Sequence, residues 1–278
     1  MNDNTFSNKT YFLKTGSRFF SAFFLAGSSL LYTGLVEASV FWKSSLPKST
    51  DPTVHILHNK GYITGYSECR RSALWVSYPL SKKKYFKWPK RRQPFCEDER
   101  TQSNLSPDDY WYSGYDRGHL APGYGVWSVS GPAARSETYL MSNIVPQKKR
   151  LNQKLWQRLE EVATTYFTRY FKDITVYTGP VYMDKKFTDS GVRIPTALYK
   201  IFVAEKDNKL FSLSFIMPQT VKGKESLDHF VTNIDEVEQV TGLDFLADLD
   251  DVKENKLEAE IDNKSWNLKA LSNLPGRY

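Results

Sequence analysis

The sequence predicts an α+β protein built around a largely antiparallel central sheet with flanking helices. Runs rich in β-branched and aromatic residues follow one another in hairpin-like pairs instead of alternating with helices. Two long segments carry apolar residues at three- and four-residue steps, the mark of helices with one buried face. With 278 residues, 40% of them hydrophobic, the chain can bury a sizeable core. A quarter of the residues are charged, which excludes a disordered chain and a polytopic membrane protein. Two cysteines exclude a disulfide scaffold and a four-cysteine zinc site. The 38 Lys and Arg outnumber the 31 Asp and Glu, a formal +7 that leans towards polyanionic partners.

At the start of the chain, Lys9, Lys14 and Arg18 precede an uncharged run over residues 19–36, and Val36-Glu37-Ala38 puts compact residues at the two positions a signal peptidase reads. This pattern marks residues 1–38 as a secretory signal peptide with Ser39 as the mature start. The run is close to bilayer-spanning length, so an uncleaved membrane anchor through residues 19–36 is the alternative. An organelle-targeting segment is another. The expectation is an exported domain, periplasmic or extracellular, and each alternative also moves it out of the compartment of synthesis. Residues 39–52 read as a linker and 53–278 as the working domain. Cys69 and Cys96 either bridge or stay as two buried thiols.

Within the domain, Val54–Leu57 and Gly61–Tyr66 flank Asn59-Lys60 as a hairpin. Residues 73–80 follow as a strand, and 81–115 as a long stretch that is not regular throughout. The periodic set Leu151, Leu155, Leu159, Val162, Tyr166 and Tyr170 predicts a helix from Leu151 to Phe171. A short buried strand, Ile174–Tyr177, ends at Gly179-Pro180. Strands Leu198–Ala204 and Leu210–Met217 are joined by a turn at residues 205–209. A second helix is expected from Leu227 to Val240 with Gly242 placed to end it, and a third over residues 244–259.

The chemistry concentrates in two segments. In Asp116-Arg117-Gly118-His119, an imidazole with a near-neutral pKa stands two residues from a guanidinium that matches phosphate oxygens. On a strand both point to one face. Gly118 allows a close backbone approach or a positive φ between them, and Asp116 is placed to orient a neighbour. A four-residue string also suits a salt-bridged turn with a satisfied histidine. The second segment carries Asn152 and Glu160 on one side of the predicted helix, about 12 Å apart along its axis. They are too distant to share an ion directly. Because helical side chains lean towards the N-terminus, Glu160 can reach back to a metal-bound water. A neutral oxygen plus waters suits a hard cation such as Mg²⁺. The bland reading is a helix cap and a solvated acid.

Taken together, Asp116-Arg117-Gly118-His119, Ser142-Asn143-Ile144 with Pro146-Gln147, and Leu151-Asn152-Gln153 with Trp156 and Leu159-Glu160 resemble the DNA/RNA non-specific endonuclease family. This is a group of ββα-metal (His-Me finger) type that includes secreted bacterial nucleases and mitochondrial endonuclease G. The likeness extends from about Tyr62 to Leu249. It implies a ββα-metal finger as the active site. His119 is then the general base, and Asn152 the direct protein ligand of Mg²⁺, with Mn²⁺ as a substitute. Glu160 holds the metal's water shell, Arg117 stabilises the phosphate and Asn143 supports the geometry. An upstream phosphate-binding arginine falls on Arg92, with Arg91 close behind. Where some members carry an arginine one turn after the glutamate, this chain has Thr164; Arg169 and Lys148 are the candidates to replace it.

The resemblance implies cleavage of DNA and RNA without sequence preference, giving 5′-phosphate ends, because contacts to the phosphodiester carry no base identity. Residues 81–92 hold seven Lys or Arg interleaved with three aromatics. Lys87, Trp88, Arg91 and Arg92 are the expected substrate contacts, cations for the backbone and a ring for the bases. A solvated basic loop is the alternative. The rival for the whole chain is a catalytically inactive nucleic-acid-binding module of the same fold. A homodimer is left open. His55, His58 and His229 lack the further ligands a zinc site needs, and no serine stands in a nucleophile-elbow context.

Overall fold

The structure, a computed structural model, describes residues 45–84, 86–87 and 93–276. The leader read as a signal peptide, anchor or targeting segment lies outside these residues, as do Trp88, Arg91 and Arg92. Among the described residues no helix is long and apolar enough to cross a membrane.

The stretch read as a linker carries a short strand, β1 (Lys48–Ser49), and buries Ser45, whose carbonyl accepts from Tyr177 Oη at 2.7 Å. The expected hairpin follows as β2 (Val54–His58) and β3 (Ile63–Ser67), then β4 (Ser72–Ser81). After a long irregular segment come β5 (Asp116–His119), two helices, α1 (Gly123–Ser130) and α2 (Pro132–Glu137), and β6 (Ile144–Gln147). Neither α1 nor α2 shows a sustained periodic pattern, so sequence periodicity did not find them.

The predicted long helix, α3, is continuous over residues 151–170. Two of its pieces, Leu151–Trp156 and Ala163–Phe167, are π-helical, and Gln157–Val162 and Thr168–Tyr170 are α-helical. Then come β7 (Asp173–Val181), β8 (Ala197–Lys206), β9 (Lys209–Pro218), β10 (Val231–Thr232), α4 (Ile234–Thr241), β11 (Leu243–Asp244), α5 (Asp251–Ala259) and α6 (Leu268–Leu271). Strands in the order β10-β9-β8-β7-β4-β3-β2 form one seven-stranded sheet in which every pair is antiparallel. The fold class expected from sequence is the one observed.

Four expectations are corrected. β7 does not stop at Gly179-Pro180 but runs on to Val181, because Gly179 lets the chain pass under the Leu74 carbonyl, where a Cβ would lie 2.2 Å away. The second helix does not begin at Leu227. Residues 227–230 make a 3₁₀ turn and Val231 and Thr232 pair with Phe215 and Ser214, so this apolar spacing serves a sheet edge. α4 starts at Ile234, where Asn233 Oδ1 accepts from Glu236 N at 2.9 Å, and ends at Gly242 as expected, with φ +70. Cys69 and Cys96 are unbridged and on the surface. The β8–β9 turn is tighter than expected: only Asp207 and Asn208 turn the chain, at φ 53 and 59, the left-handed pair that a two-residue hairpin needs.

The sheet is covered on both faces, which explains why its central strands carry apolar residues on both sides. Along β8, Leu198, Phe202 and Ala204 pack with Leu151, Leu155, Trp156 and Leu159 of α3. The alternate residues Tyr199, Ile201 and Val203 pack with Ile234, Val237 and Leu257 of α4 and α5. Lys200 shares the α3 face by the same two-residue alternation. Outside the sheet, β5 pairs with β6 antiparallel, His119 opposite Ile144, and β6 leads into α3. These two strands and a helix are the expected finger, with α1 and α2 inserted between its strands.

Candidate active site

A cleft of about 500 Å³ opens where β5 meets α3, lined among others by His119, Arg135, Tyr139, Asn152, Glu160 and Thr164. The two motifs therefore converge: His119 from the strand, Asn152 and Glu160 from the helix. The π-helical first turns of α3 assist. Each residue of a wider turn rotates the chain less than an α-helical residue does, so the step from Asn152 to Glu160 comes closer to two whole turns.

His119 is half-buried between two rings, Tyr139 at 4.8 Å and Phe95 at 5.4 Å between centroids. Its Nε2 is enclosed and takes no hydrogen bond from the described residues. Burial first, and then the Arg135 charge, pull the imidazole from 6.5 down to about 4. Both causes disfavour the cation, so the ring is neutral and able to accept a proton at physiological pH.

The carboxamide of Asn152 is oriented by Asp116. Asp116 Oδ2 accepts from Asn152 Nδ2 and from Gln153 Nε2, each at 2.9 Å. An ionised carboxylate only accepts, so it must meet the NH₂ end and leave Asn152 Oδ1 turned away. Asn152 thus binds the strand motif, and the residue placed to orient a neighbour does so. Asn143, fully buried, ties the exit of β5 to the approach to β6. Its Oδ1 accepts from Ala121 N at 2.9 Å, and its Nδ2 donates to Ala121 O at 3.0 Å and Thr138 O at 2.9 Å.

Arg117 differs from expectation. Its Nε and Nη2 both donate to the Pro107 carbonyl, at 2.9 and 2.7 Å, and its guanidinium sits 5.5 Å from the Phe95 ring. Arg117 does not line the cleft, because its guanidinium is drawn onto the Pro107 carbonyl of the preceding turn. The arginine that lines it is Arg135 of α2, buried against Tyr139, to whose hydroxyl Nη2 donates at 3.1 Å. Sequence reasoning passed over it because nothing local distinguishes it from other basic residues.

Lys200 was also missed. Its ammonium is fully buried, 3.4 Å from Glu160 Oε1, 3.1 Å from Tyr78 Oη and 4.5 Å over the Trp156 ring. Burial pulls its pKa below the usual lysine value, while the Glu160 carboxylate acts in the opposite sense. Glu160 keeps 20% of its side chain exposed and so faces the cleft with a cation behind it.

The replacements considered for the missing arginine go elsewhere. Lys148 lies 3.9 Å over the Tyr115 ring, and Arg169 stacks on Tyr166. Arg169 lines a second cavity of about 540 Å³ with Lys82 and Lys83, which shares Tyr124 and Thr164 with the first. Lys87 is exposed.

With His119 on a strand and the turned-out amide oxygen of Asn152 on the adjoining helix in one cleft, fold and site together are those of an enzyme that hydrolyses phosphodiester bonds. The sequence profile of the DNA/RNA non-specific endonucleases matches residues 40–252, and the chain belongs to that family. It is similar to nuclease C1 of Cunninghamella echinulata var. echinulata, 32% identical over 70% of this chain and 83% of the relative. It is also 31% identical to the mitochondrial nuclease EXOG of Danio rerio, over 68% of this chain and 60% of that protein. Human mitochondrial endonuclease G is 29% identical over 68% of this chain and 69% of its own length. Among solved structures, an EndoG/EndoGI complex described as the mechanism of EndoG inhibition matches with a TM-score of 0.65 at 26% identity. That match covers 72% of this chain and 88% of that one.

Proposed function

We propose that this chain is a Mg²⁺-dependent endonuclease that cuts DNA and RNA without sequence preference and leaves 5′-phosphate and 3′-hydroxyl ends. The observation that carries this reading is the Asp116-held carboxamide of Asn152 in the same cleft as the neutral His119. The donor set fits a hard cation that keeps most of its waters: one neutral oxygen from Asn152 and one carboxylate, Glu160, to hold the hydration shell. When bound, such an ion supplies Lewis-acid neutralisation of charge on the leaving 3′ oxygen.

His119 takes the proton from the attacking water, with Phe95 and Tyr139 fixing its ring plane. Arg135 takes the phosphate-facing place expected of the arginine missing at Thr164, aiming donors at the non-bridging oxygens. Arg117 acts through the Phe95 ring and the Pro107 turn that it braces, and Lys200 holds the Glu160 carboxylate from behind, towards the cleft. Arg92, Arg91, Trp88 and Lys87 are assigned to the incoming strand. The cavity lined by Lys82, Lys83 and Arg169 continues a cationic track beyond the scissile bond.

A cutter that reads only phosphates must be kept from its own genome, and delivery out of the compartment of synthesis does this. The mitochondrial relatives are consistent with an organelle as the destination, the alternative to export. The rival reading, an inactive binding module, has no support from relatives that are all named as nucleases. The test incubates the full chain with plasmid and with RNA, with Mg²⁺ and with EDTA. Both substrates should be degraded with Mg²⁺ and spared by the chelator, with 5′-phosphate on the fragments. Binding without cleavage in Mg²⁺, or cleavage undiminished in EDTA, overturns the assignment.

A further inference from the structure

On the opposite face of the sheet from the cleft, α4 and α5 bring three carboxylates together. Asp235 and Glu238 stand three residues apart on α4, and so on one side of it. Glu258 approaches from α5. One carboxylate oxygen from each lies within 4.8 Å of the others, the only such group of acid, His or Cys side chains among the described residues. The arrangement is fixed in place. Asn233, whose Oδ1 caps α4, also donates from Nδ2 to the Ala259 carbonyl at the end of α5 at 3.3 Å. Glu238 Oε1 accepts from Phe245 N beyond the helix end.

A cluster of acids on a surface is ordinary; Glu258 is not. Its side chain belongs to a residue only 6% exposed, and its Oε1 is enclosed with no hydrogen-bond donor. A buried carboxylate oxygen without a donor costs stability unless a cation or proton meets it. Burial first, and then the neighbouring Glu238 carboxylate, push Glu258 up to about 8. Glu238 itself is raised to about 7, again by burial first. No basic side chain is paired with Glu258 or Glu238 in the salt bridges of the described residues.

We propose that Asp235, Glu238 and Glu258 form a second cation site, for Ca²⁺, that clamps α4 to α5 and is separate from the catalytic cleft. The donors are all hard oxygens. Oxygens about 2.3–2.6 Å from one calcium lie at most about 5 Å apart, which the observed span satisfies. The exposed side at Asp235 admits the waters that complete a six- to eight-oxygen shell. The site is structural: it joins two helices whose Ile234, Val237 and Leu257 cover the sheet behind the strand that carries Lys200.

The experiment is a calcium titration of the EDTA-stripped full chain at mildly alkaline pH, read by calorimetry and by thermal melting. An Asn152→Ala background removes the expected ligand in the cleft. Calcium should bind this variant with one site per chain and raise its melting temperature. Glu258→Gln should weaken binding at least tenfold and abolish the melting response. Asp235→Asn, at an exposed position that tolerates substitution, guards against a folding failure of the buried variant. It should weaken calcium binding while leaving Mg²⁺-dependent cleavage within twofold of wild type. If calcium leaves the melting of Asn152→Ala unchanged, or if Asp235→Asn responds to it like wild type, the site does not exist.

Discussion

Asp116 accepts from the amides of both Asn152 and Gln153, so its charge orients the proposed metal ligand from outside the metal's own shell. Asp116→Ala removes the acceptor and releases the carboxamide. The Mg²⁺ concentration giving half-maximal plasmid nicking should rise about 10–100-fold, as for other supporting residues at metal sites. His119→Ala should lower kcat by about 10²–10⁴-fold, the usual worth of a general base, while anisotropy still reports salt-dependent DNA binding. Because burial and Arg135 hold the wild-type imidazole down to about 4, the acid limb of kcat/KM should lie well below 6.5. The sign for stability is the same. Between 6.5 and about 4 the unfolded chain takes up the proton first, so this residue makes the fold less stable as pH falls through that window. A pH–rate profile with its acid limb centred near 6.5 would show that the ring is not enclosed as described.

Elements set the distances that residues then use. Gly118 lies in β5 against the side chain of buried Gln147, and a Cβ there would come within 2.1 Å of Gln147 Cδ. Its role is close approach, since its φ is not positive. Gly118→Ala should cost about 1–3 kcal/mol in urea unfolding, as overpacking does, and should lower activity by displacing His119 next to it. Between β8 and α3, Lys200→Met makes a different demand. One partner of a buried ion pair is removed, which costs stability, and the buried Tyr78 hydroxyl loses the ammonium beside it. Melting temperature and Mg²⁺-dependent cleavage should both fall. Adding Glu160→Gln should recover much of the melting temperature, because the pair is then removed as a whole, while cleavage stays low. No recovery in the double variant would make Lys200 a packing residue and nothing more.

At the scale of the molecule, the excess of basic residues is organised. Lys83 is held over the rings of Tyr124 and Trp127, and with Lys82 and Arg169 it lines the cavity adjoining the cleft. The double variant Lys83→Ala/Arg169→Ala should weaken DNA and RNA binding alike. The slope of log affinity against log salt should become shallower by about one for each phosphate that is no longer neutralised. Turnover at saturating substrate should stay near wild type. An unchanged slope would reduce the cavity to a solvated surface.

Which residues could be seen in advance follows from how local their signals are. The antiparallel sheet, α3 and the base-bearing strand were legible because alternation, helical spacing and short motifs lie within a few residues of chain. His119, Asn152 and Glu160 are marked by motifs of that kind. The helix proposed from Leu227 failed because residues 227, 230 and 231 are apolar for a turn and a sheet edge, which one-dimensional spacing does not separate from a helix face. The chain's linear order thus determined the class of fold, the candidate base and the candidate ligand. Only the folded molecule decided that Arg135 stands in the cleft while Arg117 is tied to Pro107. It alone also placed Lys200 behind Glu160, 40 residues further along the chain. The physical reason is that a guanidinium or ammonium takes its role from the acceptor it reaches and the water it loses, and both are set by segments distant in sequence.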